Sequence, residues 1–400
     1  METFGRKTRV IDVGSHMHHC ASLIQDRYGS FWLAFYLGPE CTDDQHVVVQ
    51  HYVGDEVNAT LHLRKKTGNP VLFESDGDIY LIFSEFGDHT EEGEFVRELA
   101  LAPVERWKYC RNFIAKVVDE RGELHWELHL KEEREIPNAF GLLTRQTPIK
   151  LPQAMAESWG YTHVIGMYRE QNPLCCLWGW KSDRYEGSLQ RISYFAAVED
   201  GFDRQRWYMS PLGEGVAIQP ALLVEGNRLF AFCRNVARVR GNDCRAWMMV
   251  TSTGGNWTTP VQSIIPSHNN SVAVCSYLQR PWVVCSTNEY RNDLWLIDTR
   301  SRTRIDLRVP IGGRRWSYSY PNMWVDNDER LHVVHTNCQR IAWHTFDKAY
   351  MVAVTGKELQ VQPTFFRQMS KRRGGKLLRG LAKGGIFDPA KDQDIVSNAF

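Results

Sequence analysis

No apolar run in this sequence is long enough to cross a bilayer, so a spanning helix is excluded. The ten cysteines, including the adjacent Cys175-Cys176, form no Cys-x-x-Cys pair and no repeated spacing, which argues against a redox motif or a thiolate metal site. There is no Gly-x-Ser-x-Gly elbow, and Gly374-Gly375-Lys376 lacks the preceding strand and the Ser or Thr of a phosphate-binding loop. Serine-hydrolase and nucleotide chemistry are set aside. Net charge is nearly absent as well, with 48 Lys and Arg against 47 Asp and Glu, so nucleic acid is not an expected partner of the chain as a whole. Met1 to Lys7 offer no apolar core of a secretory signal, and the expectation is a protein made in the cytoplasm with mostly buried, reduced thiols.

What is present is one short unit that returns. A turn carrying Gly, Asp or Asn is followed by a strand of bulky apolar residues at Tyr28–Phe35, Asp76–Phe83, Glu225–Phe232 and Asn327–Val334, with fainter copies at Trp159–Tyr168 and Gln279–Ser286. Gly or Asn supplies the positive backbone dihedrals of a tight turn, and alternation afterwards marks a half-buried strand. Copies spaced by roughly 45 to 65 residues, with no long amphipathic helix between them, point to four-stranded blades around an axis. The fold class expected is all-β, a six-bladed propeller over residues 15–366, the roughly 366 residues before the tail giving about 61 per blade, seven blades remaining open. An apolar share of 43% with 14 Trp, 15 Tyr and 18 Phe suits packing between blades.

Two flanking segments complete the domain reading: an N-terminal arm, residues 1–14, and a basic Gly-rich tail, residues 367–400. The tail holds eight Lys or Arg against three Asp, a net +5, which leaves −4 on the rest. With few large apolar residues it has little means of folding alone, and reads as a solvated tail or as an arm that orders on a neighbouring protein subunit.

Val250-Thr251-Ser252-Thr253-Gly254-Gly255-Asn256-Trp257 looks like a degenerate Asp-box, the Ser-x-Asp-x-Gly-x-x-Trp turn, with its Asp missing and its spacing one residue short. Around it stand His19-Cys20-Ala21, Gly38-Pro39-Glu40 with Asp43 and Asp44, Asn69-Pro70 and Met167-Tyr168-Arg169-Glu170. Further on come Gln219-Pro220, Phe232-Cys233-Arg234, Asn269-Asn270-Ser271, Asn288 with Arg291, Tyr320-Pro321 and Arg340-Ile341. In order and spacing these resemble the Asp-box, sialidase-like propeller family over most of residues 15 to 346.

That resemblance implies a glycan or carbohydrate partner and, if active, a retaining exo-glycosidase with a Tyr nucleophile, the exception among glycosidases. Residue by residue it implies Tyr320 as nucleophile, Glu170 or Glu40 as the carboxylate that polarises it, and Asp43 or Asp44 as acid/base. Arg234 and Arg340 are implied as clamps, because arginine presents a donor fork matched to a carboxylate. His19 stands where the family carries the first arginine, and an imidazole does not reproduce that clamp. Trp178, Trp180 and Trp316 are candidates for stacking on a sugar. Each residue also has a structural reading: inter-blade ion pairs for Arg234 and Arg340, a packed turn for Tyr320, a solvated loop for Asp43 and Asp44, a structural hydrogen bond for Glu170.

No metal or cofactor is expected. His16 and His18 face one side of a strand and His19 the other, without a carboxylate in register, and the acidic stretch Glu85–Glu94 lacks the Asp spacing of a calcium loop. Two functions remain: a sialidase-like propeller that binds or hydrolyses a cell-surface glycan, or an inactive propeller serving as a structural or adsorption subunit of a phage tail or virion, tethered by its C-terminal tail.

Overall fold

The computed structural model describes residues 2–3, 5–14, 17–39, 42–86, 110–122, 126–136, 142–144, 148–160, 162–170, 191–198, 207–215, 217–235, 245–252, 256–267, 270–288, 290–310 and 317–358. At 2–3, 121, 142–144, 167–170, 191–198, 207–215, 217–218 and 357–358 it describes backbone alone. The tail 367–400 lies outside the described residues, as do His16, Glu40, Trp178, Trp180, Trp316 and the acidic stretch beyond Phe86.

Strands β1 (Glu2–Thr3) and β2 (Arg6–Ile11) precede blade 1, made of β3 (His18–Gln25), β4 (Phe31–Leu37), β5 (His46–Val53) and β6 (Glu56–Lys65). Blade 2 is β7 (Thr67–Ser75), β8 (Asp78–Phe86), β9 (Cys110–Arg121) and β10 (Trp126–Glu135). Blade 3 has a split inner strand, β11 (Leu142–Thr144) and β12 (Ile149–Lys150), then helix α1 (Gln153–Trp159) and β13 (His163–Glu170), β14 (Arg191–Val198) and β15 (Trp207–Gly215). Blade 4 is β16 (Ala217–Glu225), β17 (Arg228–Asn235), β18 (Arg245–Thr251) and β19 (Val261–Pro266). Blade 5 is β20 (Ala273–Tyr277), β21 (Arg280–Cys285), β22 (Trp295–Asp298) and β23 (Arg304–Asp306). Blade 6 holds β24 (Tyr318–Val325), β25 (Leu331–Asn337) and β26 (Arg340–Phe346), and helix α2 (Lys348–Glu358) follows. Each blade is an antiparallel sheet in sequential order, and the six together form a β-propeller.

Residues 6–11, expected in an arm ahead of the propeller, correct the domain boundary. Strand β2 pairs with β26 from Arg6↔Phe346 to Ile11↔Ile341 and so supplies the outer strand of blade 6. The first and last parts of the propeller are thereby hydrogen-bonded into one sheet, which leaves β26 no open edge.

Strand parity builds the core. Along β4, Phe31, Leu33, Phe35 and Leu37 pack toward blade 6 with Val334, Ile341 and Trp343, whereas Trp32, Ala34 and Tyr36 pack toward blade 2 with Leu72, Leu81 and Phe83. Successive side chains of a strand leave opposite faces, so an unbroken apolar run is what a strand sandwiched between blades requires. The outer strands β6 and β10 carry exposed charged residues instead, as solvent-facing edges do.

The recurring turn reappears as the hairpin between the first and second strands of blades 1, 2, 4, 5 and 6, and in blade 3 α1 takes its place. In blade 1, Asp26 caps this hairpin: Oδ1 accepts the N–H of Tyr28 and of Ser30, both at 2.9 Å, and Oδ2 accepts Trp32 Nε1–H at 2.9 Å. In blade 6, Asp326 accepts the N–H of Asp328 at 3.0 Å and of Arg330 at 2.6 Å, and meets His332 Nε2 at 2.9 Å. A carboxylate six residues before an indole or imidazole N–H thus ties the turn to the strand that follows.

Candidate functional site

Four inner strands share one irregularity near their first residues. Pairing shifts between His19 and Ser22 in β3, Gly68 and Val71 in β7, Ile218 and Ala221 in β16, and Ser319 and Asn322 in β24. Inside each bulge one residue has positive φ: Cys20 (54°), Asn69 (50°), Gln219 (53°) and Tyr320 (51°). In three of the four the next residue is Pro70, Pro220 or Pro321, which donates nothing to a ladder and belongs at a bulge. Non-Gly residues in this conformation are strained, and such strain concentrates at functional sites. The four bulges re-aim side chains at one end of the propeller axis.

At that end His19 and Tyr320 meet, their ring centroids 4.5 Å apart and nearly perpendicular at 79°, and Tyr36 lies 5.4 Å on the other side of His19. The Arg291 guanidinium carbon stands 5.8 Å from the Tyr320 ring centroid, within cation–π range. Tyr320 is half-buried and packs on the core shared by blades 1 and 2. Arg291 has φ 54° in the turn after Ser286–Asn288, and its carbonyl accepts the N–H of Tyr318 at 2.8 Å, which fixes the turn to the start of β24. In the bulge of β16, Gln219 Oε1 accepts Arg234 Nη1–H at 3.0 Å, and both residues are buried. Asn69, 1% exposed, has neither amide atom partnered among the described residues. Tyr318 lies behind the site, and burial pushes its hydroxyl up to about 12.

The residues expected from the sequence separate into groups. Tyr320 and His19 come together, and Arg234 lies in the same ring of bulges beside Gln219. Arg340 is held away: its Nε donates to Asp12 at 2.7 Å and Nη1 to the Gln339 carbonyl at 2.9 Å, in the β25–β26 hairpin next to β2. This is an ion pair, though within blade 6 rather than between blades. Asp44 pairs with Lys65 at 2.9 Å and Asp43 lies 4.0 Å from Lys66, on the β4–β5 loop at the same end of blade 1 as His19. Glu40 lies outside the described residues, and Glu170 ends β13 with its side chain outside them. Sequence reasoning assigned no role to Arg291 and Gln219. Their signals were Asn288-x-x-Arg291 and the Gln219-Pro220 step, the latter matching Asn69-Pro70 and Tyr320-Pro321.

His18 is committed to the backbone, Nε2 accepting the Val13 N–H at 2.7 Å and Nδ1–H donating to the Gln339 carbonyl at 3.1 Å. Among the described residues no three His, Cys, Asp or Glu are placed to hold a metal ion. No helix among them is long and apolar enough to cross a membrane. The degenerate Asp-box joins β18 to β19, where Thr258 exchanges hydrogen bonds with Val250, though residues 253–255 lie outside the described residues.

A family model described as a BNR repeat-like domain matches residues 185–333. Among solved structures, the chain is similar to Trypanosoma rangeli sialidase, with a TM-score of 0.54 and 10% identity over 85% of this chain and 56% of that one. The same enzyme in complex with sialic acid gives 0.53, with the same identity and coverage. A Dyadobacter fermentans protein of unknown function gives 0.57 and 12% identity over 86% of this chain and 99% of that one. A Hadza microbial sialidase gives 0.55 and 11% identity over 83% and 66%. The chain thus covers little more than half the length of the trypanosomal enzyme. No curated protein matches the sequence. With six blades, a match to the BNR repeat-like model over residues 185–333 and these structural neighbours, the chain has the β-propeller fold of sialidase type.

Proposed function

We propose that this protein binds a glycan at the end of the propeller axis marked by the four bulges. A sialidase-like fold suggests glycan binding or hydrolysis, and the observation that supports a site here is the convergence of Tyr320, His19 and Arg291 at strained backbone. Tyr320 and His19 offer ring faces and edges for the apolar side of a sugar, while Arg291 and Arg234 offer donors for its oxygens. Gln219, bound to Arg234, is a neutral amide, and Asp43 and Asp44 are engaged by lysines. A Tyr nucleophile needs a base to take its proton. Among the described carboxylates named for the site both aspartates are engaged by lysines, which favours recognition over turnover, and a sugar with fewer acidic groups than sialic acid is favoured because His19 stands where the family carries an arginine donor.

The test is a glycan-binding panel run beside hydrolysis of aryl glycosides, including sialosides and uronides. Binding that falls at least tenfold in Arg291→Ala and in Tyr320→Ala, with no turnover, is the expected result. Turnover lost in Tyr320→Phe would replace recognition by a Tyr-dependent glycosidase. Absence of both from the whole panel would remove the glycan reading. The adsorption-subunit alternative draws on the missing first arginine, the degenerate Asp-box and the tail 367–400, which lies outside the described residues.

A further inference from the structure

The axis has a second end. Inner strands run from the bulged end toward the recurring hairpins, and where they finish there is a cavity of about 470 Å3, within the roughly 300–1,000 Å3 of small-molecule pockets. Five of the six blades line it. Its apolar wall includes Phe73, Leu222, Met323 and Trp324, each placed by the last residues of its strand. Its polar groups are Glu74 and Asp76 of blade 2, Lys150 of blade 3 and Ser276 of blade 5, with His163 between Glu74 and Lys150. The Trp324 Nε1–H is shielded from solvent without an acceptor among the described residues, a donor left to be met by a bound group.

We infer that this cavity is a second binding site, for a neutral saccharide of one or two rings, on the face of the propeller opposite the bulged end. The wall combines an aromatic ring and a thioether chain with carboxylate acceptors and with ammonium and hydroxyl donors. A pyranose presents the matching set, an apolar face and hydroxyls that donate and accept at once. An anion would face Glu74 and Asp76, and a cation would face Lys150, so a charged ligand leaves one sign opposed. Burial, with Asp26 nearby, holds Glu74 above the usual carboxylate range, and burial with Lys150 pushes His163 down to about 4. Both are consistent with a sheltered pocket in which His163 stays neutral.

The experiment is ligand-observed NMR and calorimetry on the full chain with methyl glycosides of glucose, galactose, mannose and N-acetylglucosamine, with lactose and maltose, and with choline and sulfate as charged controls. At least one neutral sugar is expected to bind, with the dissociation constant raised tenfold or more in Trp324→Leu and in the isosteric Glu74→Gln, and far less affected by Arg291→Ala, which strikes the bulged end. Glu74→Gln keeps the test decisive if Trp324→Leu does not fold. Binding lost in Arg291→Ala but kept in Glu74→Gln would assign the sugar to the bulged end and overturn the inference. Binding of choline or sulfate alone, or of nothing on the panel, would overturn it as well. Because the two sites are probed by different variants, failure here and failure of the bulged-end reading are read separately.

Discussion

Acidification should loosen blade 6 through two buried histidines. His335 and His344 are fully buried, their Nε2 atoms 3.1 Å apart. Thr8 Oγ1–H donates to His344 Nδ1 at 2.9 Å and His335 Nδ1–H to the Thr336 carbonyl at 3.0 Å, while His335 Nε2 lies 3.1 Å from His344 Nε2 and 3.2 Å from the Leu307 carbonyl. One N–H between the two Nε2 atoms suffices when both rings are neutral, and protonating both would set N–H against N–H in a buried site. Burial accordingly pushes His335 down to about 4 and His344 well below its ordinary value, with Arg6 lowering both further. A histidine held neutral in the folded state and free to charge at 6.5 when unfolded contributes nothing above pH 6.5 and destabilises progressively as pH falls toward 4. At about 1.4 kcal/mol per pKa unit, His335 alone costs about 2 kcal/mol at pH 5 and about 3 kcal/mol at pH 4. Against a total of roughly 5–15 kcal/mol that is a large share. At the usual unfolding entropy per residue, 2 kcal/mol corresponds to a fall of roughly 3 °C in Tm for a chain of this size, and His344 adds in the same direction. The assay is Tm against pH from 8 to 4.5 for the wild type and for His335→Gln/His344→Gln. His163 and His332 are depressed too, so the difference between the two curves is the readout. It should narrow below pH 6.5. A wild-type Tm indifferent to pH between 7 and 5, or two parallel curves, would refute the reasoning.

Three further outcomes follow from other elements. Asp26→Ala removes three hydrogen bonds to one buried carboxylate and should cost about 2–4 kcal/mol by chemical denaturation, with Asp26→Asn losing less. Gly38 has φ 94°, and a Cβ there would meet the Asp44 carbonyl oxygen at 3.1 Å, so Gly38→Ala should destabilise by about 1–3 kcal/mol, whereas Gly54→Ala, with open space around it, should cost less. Deleting residues 1–11 removes β2 and exposes the edge of β26, and should give a chain that aggregates or unfolds at a lower temperature. An unchanged Tm for the deleted chain would show that the pairing is dispensable.

The fold was legible because a blade writes itself locally. Gly29, Gly77 and Gly226 occupy hairpins with positive φ, and the apolar runs after them fill both faces of a sandwiched strand. The closing strand was not legible, because Arg6-Lys7-Thr8-Arg9 reads as a polar arm until β26 supplies its partner. At the site, His19 and Tyr320 could be named because His19-Cys20-Ala21 and Tyr320-Pro321 resemble segments of the sialidase-like family. Arg340 was placed with them by order along the chain, yet Asp12, just past the end of β2, holds its guanidinium. The cavity at the other end is assembled from single residues of five blades, and no local window of sequence contains it.

The pairing of β2 with β26 also sets a timetable. Arg6–Ile11 leave the ribosome about 330 residues ahead of their partner, Arg340–Phe346. At 5–20 residues per second this is a wait of roughly 20–70 s during which the edge of β2 that will meet β26 is unsatisfied. The blades between can each form from neighbouring sequence, but the ring cannot lock until β26 has emerged. An abundant nascent chain would therefore spend that interval as an open arc, in need of dilution or a chaperone, and any truncated product would be an arc permanently.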